Sequence, residues 1–263
     1  MRNFIFVIAS LFTFSTFSFS QPTQTKEKLT CIDKTFSVVV HIVKDSLHKT
    51  NVSEAAIIAS IEGASSYFAP ICVSFKVCEI RYIDNYAYED IDKDLDFPEM
   101  RHQYNVKNRI NVYYVKGFKG LPNAGFATLK GIQNTDDQGI VMRKDKGLGI
   151  ETMAHEMGHY WGLYHTFEAV EHGPELADGS NCSTAGDLVC DTPADPYVNP
   201  EDLSPKYING ACQFVYMGQD TNKQYYDPHT TNIMSYYLCN CGTFTDGQFQ
   251  RMVSTYLGKI GMW

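Results

Sequence analysis

The stretch from His155 to His165, HEMGHYWGLYH, constrains this chain more than any other. Residues four apart share one face of a helix, so His155 and His159 can aim their ring nitrogens at a single point, with Glu156 beside them. His165 cannot join them on a continuing helix. Ten residues at about 1.5 Å each would carry it roughly 15 Å up the axis, whereas zinc holds nitrogens near 2.0–2.1 Å. The helix must stop, and Gly162 is where it can. A residue without Cβ takes the left-handed backbone that ends a helix and folds the following segment back.

Three histidines leave a fourth position of a zinc ion open, the pattern of catalytic rather than closed structural sites. The expected chemistry is hydrolysis, with Glu156 as general base toward a water held there and as proton donor to the leaving nitrogen. The rival reading is a non-catalytic zinc-stabilised extracellular binding or adhesion module. It is disfavoured because Glu156, which binds no metal, is present.

The eleven residues resemble the extended zinc motif of the metzincin metallopeptidases. Thr166 and Phe167, directly after the third histidine, are similar to the pappalysin family within them and argue against the astacin, reprolysin and serralysin patterns. Asn232-Ile233-Met234-Ser235-Tyr236 resembles the Met-turn of that clan. The resemblance implies that Met234 forms a hydrophobic floor under the metal and that Tyr236 hydrogen-bonds near it and steadies the oxyanion of the tetrahedral intermediate. Gly186-Asp187-Leu188-Val189-Cys190-Asp191-Thr192-Pro193 resembles a pappalysin segment that binds calcium in relatives. It implies Asp187 and Thr192 as calcium ligands, with Asp191, Glu168 and Glu171 as possible helpers, since calcium takes hard oxygen donors. The bare sequence also fits an Asx turn followed by a proline turn. Phe244 to Gln248, with Arg251-Met252, resembles the closing segment of the family.

Some relatives prefer a basic residue after the cut, using an acid in the stretch beyond the Met-turn. Here Tyr237 to Gly242 holds no acid, so that preference does not carry over.

Residues 1–20 begin with Arg2, run apolar from Phe4 to Phe14 and end in small residues at Ser18 and Ser20, the pattern of a cleaved secretory signal peptide. The mature chain is then expected outside the cell, or in the periplasm of a Gram-negative source, as a monomer not held in a membrane. Residues 21–35 read as a linker or short propeptide, and 36–263 as one catalytic domain with lobes at about 36–162 and 163–263. The net charge of −8, or −9 without Arg2, offers no basic face for nucleic acid. Proteins or peptides are the expected substrates.

Eight cysteines in an exported chain suggest disulfides. Three precede the zinc helix (Cys31, Cys72, Cys78) and five follow it (Cys182, Cys190, Cys212, Cys239, Cys241). Either one bridge crosses between the halves or at least two thiols stay free. Cys72 and Cys78 on one extended strand would lie about 20 Å apart, too far to bond. Cys31 has two readings: a structural disulfide partner, or a thiolate that blocks the zinc in a latent form.

Phe36–Val43 is β-branched and apolar, a buried central strand in which His41 reads as a satisfied core histidine. From Asn51 to Phe68 apolar positions recur at helical intervals behind an Asn51 or Ser53 cap, ending at Pro70. Ile71–Ile80 and Arg109–Val115 read as strands. The acidic, tyrosine-rich stretch from Tyr82 to Asp96 reads as an exposed loop or short helix whose aspartates form a solvated face. Residues 117–131 are glycine-punctuated loop. The resemblance places an antiparallel cleft-edge strand at Gly139–Met142, pairing with extended substrate. A last helix starts at Thr245, with capping-box spacing to Gln248. The expected class is α/β (α+β): a mixed twisted sheet with one antiparallel edge and covering helices, then an irregular disulfide-containing subdomain ending in a helix.

Overall fold

The computed structural model describes residues 28–134, 136–197, 206–237, 239 and 242–259; the stretch expected to be a signal peptide lies outside these residues, as does Cys241. In chain order the regular elements are β1 (Lys34–Val43), α1 (Glu54–Gly63), α2 (Ser65–Phe68), β2 (Val73–Ile83), β3 (Asp90–Ile91) and α3 (Asp96–Tyr104). They continue with β4 (Ile110–Val115), β5 (Gly117–Phe118), β6 (Gly125–Ala127), β7 (Ile140–Arg143), α4 (Ile150–Tyr160) and α5 (Asp246–Leu257). The main sheet runs β2-β1-β4-β7-β6. Its first four strands are parallel and β6 is antiparallel to β7. This is the expected mixed sheet with one antiparallel edge, the edge being what the resemblance implies.

The apolar run of β1 is explained by burial on both faces. Val38, Val40 and Ile42 point to a core shared with Ile57 and Ile61 of α1, Met153 and Met157 of α4, and Met252 of α5. Val43, Tyr113 of β4 and Val141 of β7 point the other way, onto Ile91, Phe97 and Met100. A strand covered on both sides has no polar alternation to show. Each such fully buried aliphatic side chain contributes about 1.5–3 kcal/mol. His41 sits in this sheet as a core histidine, but it is satisfied at one ring nitrogen only: Nδ1 is buried without a hydrogen-bond partner among the described residues. Its Nε2 meets Asn111 Oδ1 at 2.9 Å and its ring stacks on Tyr113 at 4.4 Å. Burial lowers its pKa to about 4, against the opposing Asn111 bond.

The helix expected from Asn51 to Phe68 is capped by Ser53, whose hydroxyl accepts from Ala56 N, and it breaks at Ala64 into α1 and α2. Pro70 lies in a 3-10 turn beyond it. The segment after Tyr82 is more ordered than its composition suggests. It holds the short β3 and the nine-residue α3, whose Phe97 and Met100 are its buried residues. Two apolar positions in nine leave too faint a period to read.

One expectation is corrected. The antiparallel edge strand is β6, at Gly125–Ala127 and inside the expected loop, while Ile140–Arg143 is an interior strand parallel to β4. Ile140, Val141 and Met142 are fully buried, which an edge strand facing a cleft could not be.

Between α4 and α5 the chain forms turns and isolated bridges, ordered by the disulfides Cys182–Cys190 and Cys212–Cys239 and by an aromatic cluster around Tyr197, Tyr207 and Tyr237. The third described disulfide joins Cys31 to Cys72. Cys31 is therefore a structural partner, not a thiolate available to block a metal, and the latent form has no support. Leu29 and Ile32 pack on the core, and Ile32 N donates to Ile71 O, so the stretch from 28 onward is part of the domain. Among the described cysteines Cys78 is the free one. No bridge crosses between the halves among the described residues.

Replacing Cys31 and Cys72 together by serine opens a loop of 41 residues' separation. The unfolded chain gains the corresponding freedom, so a loss of about 2–4 kcal/mol is expected by urea denaturation under non-reducing conditions.

Candidate metal centre

α4 starts after Gly149 and carries His155, Glu156 and His159 over its last turns. Its end is a Schellman motif. Leu163 N donates to Gly158 O at 3.0 Å and Gly162 N to His159 O at 2.9 Å, with Gly162 at φ +95°. This turn does two jobs. It reverses the chain so that His165 returns to the helix, and it presents Leu163 O to His159 Nδ1 at 2.8 Å. His155 Nδ1 likewise meets Ile233 O at 2.7 Å. With each Nδ1 held by a carbonyl, both rings turn Nε2 toward a common centre, the second-sphere arrangement metal-binding histidines use.

His159 Nε2 and His165 Nε2 lie 3.0 Å apart, and one ligand atom from each of the three histidines falls within 4.8 Å of the others. Ligands on a tetrahedral zinc at 2.0–2.1 Å would be roughly 3.3 Å from one another. The donor set thus fits zinc, and it is the one metal-capable cluster of this kind among the described residues. Electrostatics agree. Burial lowers the pKa of all three rings, that of His159 to about 3 with a further contribution from His155. The imidazoles are neutral at neutral pH, as ligands must be.

Glu156 is 5% exposed, and its Oε2 has no hydrogen-bond partner among the described residues. Burial raises its pKa to about 8, opposed by the charge of Lys93. It lines the cleft together with His159, His165, Tyr236, Gly125 and Lys93. Gly125 of β6 is required there, because a Cβ would come within 3.1 Å of Glu156 Cγ and 3.0 Å of Val141 O. Met234 is fully buried and its Sδ lies where a Cβ on Gly158 would be, 2.5 Å away, so it packs against the helix backbone between the two histidine turns. Tyr236 stands beside the cluster, its ring 4.7 Å from His165 and 5.6 Å from His155. Burial raises the pKa of its hydroxyl, which remains a protonated donor.

The structure thus brings together His155, His159, His165, Glu156, Gly162, Met234 and Tyr236. Asp187 and Thr192 lie elsewhere, with the Thr192 hydroxyl 2.9 Å from each Asp187 oxygen. Burial raises the Asp187 pKa, and of the helpers the resemblance implies, Asp191 lies near enough for its charge to raise it further. Glu168 and Glu171 line the histidine cleft instead, and Asp191 caps α5, accepting from Thr245 Oγ1 and Gly247 N. Glu175 also approaches Asp187, whose charge adds to burial in raising the Glu175 pKa. Sequence reasoning missed Glu175, Lys93 and Gly125, which come from two loops and from β6 and carry no spacing signal relative to the motif.

A family profile described as "Metallo-peptidase family M12B Reprolysin-like" matches residues 54–166, ending just past His165. An extracellular metalloprotease of Arthroderma benhamiae is 25% identical over 238 residues, covering 85% of this chain and 72% of that one. One from Colletotrichum graminicola is 34% identical over 157 residues, covering 55% and 48%. The chain is a metallopeptidase. Mature mirolysin of Tannerella forsythia, solved in complex with a cleaved peptide, shares the fold of this metallopeptidase at a TM-score of 0.56 and 20% identity, over 89% of this chain and 94% of that one. The profile match includes none of the segment beyond Thr166, so the pappalysin features downstream are not weighed by it.

A methyl group at residue 162 would be strained at φ +95° and would come within 2.7 Å of Thr255 Oγ1 and 3.0 Å of its Cγ2. Gly162→Ala is expected to lose about 2 kcal/mol or more in thermal denaturation. Elemental analysis should show less than half the parent's bound zinc, because the turn that returns His165 is the one disturbed.

Proposed function

We propose that this metallopeptidase is a secreted endopeptidase of the pappalysin type that cuts extended polypeptides with His155, His159 and His165 as zinc ligands and Glu156 as general base. The observation that carries the reading is the convergence of the three Nε2 faces next to a buried carboxylate with a free oxygen. Zinc bound there would polarise the scissile carbonyl and lower the pKa of the attacking water. Glu156, ionised, takes the proton from that water and passes it to the leaving nitrogen. Lys93, across the cleft, favours the ionised form against the cost of burial. The Tyr236 hydroxyl donates to the oxyanion of the tetrahedral intermediate. β6, the outer strand of the sheet, offers its unpaired side to an extended substrate through backbone hydrogen bonds, which bind without regard to side chains. Residues 1–20 act as the export signal, and no helix among the described residues is long and apolar enough to cross a membrane.

A chemically unfolded protein substrate tests the reading. The parent should degrade it, a chelator should stop degradation, and Glu156→Ala should slow it about 10³-fold while keeping its zinc. Cleavage that survives both treatments excludes the mechanism. A folded, zinc-loaded parent with no cleavage favours the binding module instead.

Calcium fits the oxygens around Asp187. The single Thr192 hydroxyl proton faces both Asp187 oxygens and Val189 O, and Glu175 stands close by, so hard acceptors outnumber the protons among them. Calcium takes six to eight such oxygens, of which Asp187, Thr192, Val189 and Glu175 would be four. Burial raises the Asp187 pKa to about 7, and burial with repulsion from Asp187 raises that of Glu175 to about 7. The sign follows: the folded state binds these protons more tightly than the unfolded one, so the ion-free protein loses stability as pH rises from about 4 to about 7. Calcium at about a hundred times its dissociation constant should therefore raise the thermal midpoint by about 5–10 °C at pH 8 and by much less at pH 5. No shift at pH 8 would remove calcium from the reading.

A further inference from the structure

The chain leaving the third histidine and the chain leaving the Met-turn tyrosine meet at one carboxylate. Asp195 Oδ2 accepts from Thr166 Oγ1 at 2.8 Å, and Oδ1 accepts from the Tyr237 hydroxyl at 2.5 Å and from Tyr197 N at 3.1 Å. Thr166 follows His165 directly, and Tyr237 follows Tyr236. Thr166 is 5% exposed and Tyr237 3% exposed, so neither hydroxyl has ready access to water in place of the carboxylate. Buried hydroxyls deprived of a partner shift until they find one.

We propose that Asp195 is a positioning residue for the peptidase reaction: it bridges Thr166 to Tyr237 and so sets His165 and Tyr236 at their working separation. The inference rests on the zinc peptidase reading above. The other links between the two segments are weaker at holding a distance. The His165 and Tyr236 rings meet edge-on at 4.7 Å, and Phe167 stacks on His165 at 4.7 Å and packs edge-on against Tyr236 at 4.9 Å, contacts that let rings slide. Thr166 N donates to Met234 O at 3.2 Å, which ties the backbones but leaves the turn into Tyr236 free to pivot. The carboxylate adds the second point of attachment that stops the pivot. It comes from a loop on neither segment, so it can act as a spacer between them. A metal that His165 would help to hold and the Tyr236 hydroxyl would have to serve one scissile carbonyl together, and a displacement near 1 Å is enough to cost about 10²-fold.

The test uses the full-length protein loaded with zinc for kinetics and with cobalt for visible absorption, which reports on ligand geometry. Asp195→Ala should lower kcat about 30–100-fold with KM within about threefold, and should shift the cobalt bands. Asp195→Asn should keep kcat within about threefold, because the amide oxygen can still accept from Tyr237 while its NH₂ donates to the Thr166 hydroxyl.

The two arms separate the effects. Thr166→Val should shift the cobalt bands, since it frees the histidine side, whereas Tyr237→Phe should lower kcat about tenfold with the bands unchanged. These two variants carry the test if Asp195→Ala does not fold. Thermal midpoints that fall while kcat and cobalt bands stay at parental values would make Asp195 a brace of the fold only, and overturn the inference. A parent chain that takes up no metal overturns the peptidase reading and this inference with it. A parent that binds metal and cleaves, beside variants that match it, overturns the inference alone.

Discussion

The glycine turn at the end of α4 is the constraint on which the rest depends. A zinc-sized centre needs three nitrogens within a few ångströms, yet a helix can supply only two of them from residues four apart. The left-handed backbone at Gly162 supplies the third by reversing the chain within one turn, and its hydrogen bonds close the helix at the same time. Much of the surrounding structure is arranged to hold that turn. Arg251 of α5 donates to Gly162 O at 2.7 Å, and Thr255 of the same helix fills the space against the glycine. α5 is itself anchored by the capping box of Thr245 and Gln248 and by two hydrogen bonds between the side-chain amides of Gln248 and Asn232. Asn232 opens the Met-turn, so the last helix couples the two halves of the site.

The site also depends on dryness. Burial holds the three imidazoles neutral and pushes the Glu156 carboxyl upward, and both effects come from the same packing of α4 between the sheet and the Met-turn. Desolvation of this size would be unfavourable for the isolated fold, which is how a metal site couples ion binding to stability. The carbonyls of Ile233 and Leu163 offset part of it by fixing both outer nitrogens. One comes from the Met-turn and one from the glycine turn, so these two backbone features act on the histidine rings directly and not only as floor and reversal.

Local features were legible in the sequence because their geometry is set by nearby residues. The i, i+4 histidines, the helix stop at Gly162, the Ser53 cap, the capping box at Thr245 and the doubly buried run of β1 each follow from spacing or residue type over a few positions. The site features at a distance, Met234 and Tyr236, were legible only through resemblance. What could not be read was whatever depends on pairing across the sheet or between loops. A three-residue strand at Gly125–Ala127 has no measurable alternation, and its role as the outer strand is decided by which neighbour β7 accepts on its free side. Cys31–Cys72, Glu175 beside Asp187, and Asp195 between Thr166 and Tyr237 all join positions from 12 to 42 residues apart, and sequence carries no period for such contacts.

By itself the sequence determined the candidate chemistry: three histidines able to hold a metal, a carboxylate beside two of them and the place where the helix must end, because all of these lie within eleven residues whose backbone geometry is local. Only the tertiary structure decided the setting of that chemistry, meaning which strand forms the rim of the cleft, which cysteines pair, which charged groups face the centre and how far the third histidine stands from the tyrosine. Those distances are fixed by packing and hydrogen bonds between segments remote in the chain, and the free energy that selects among such arrangements is shared over the whole core rather than written at any one position.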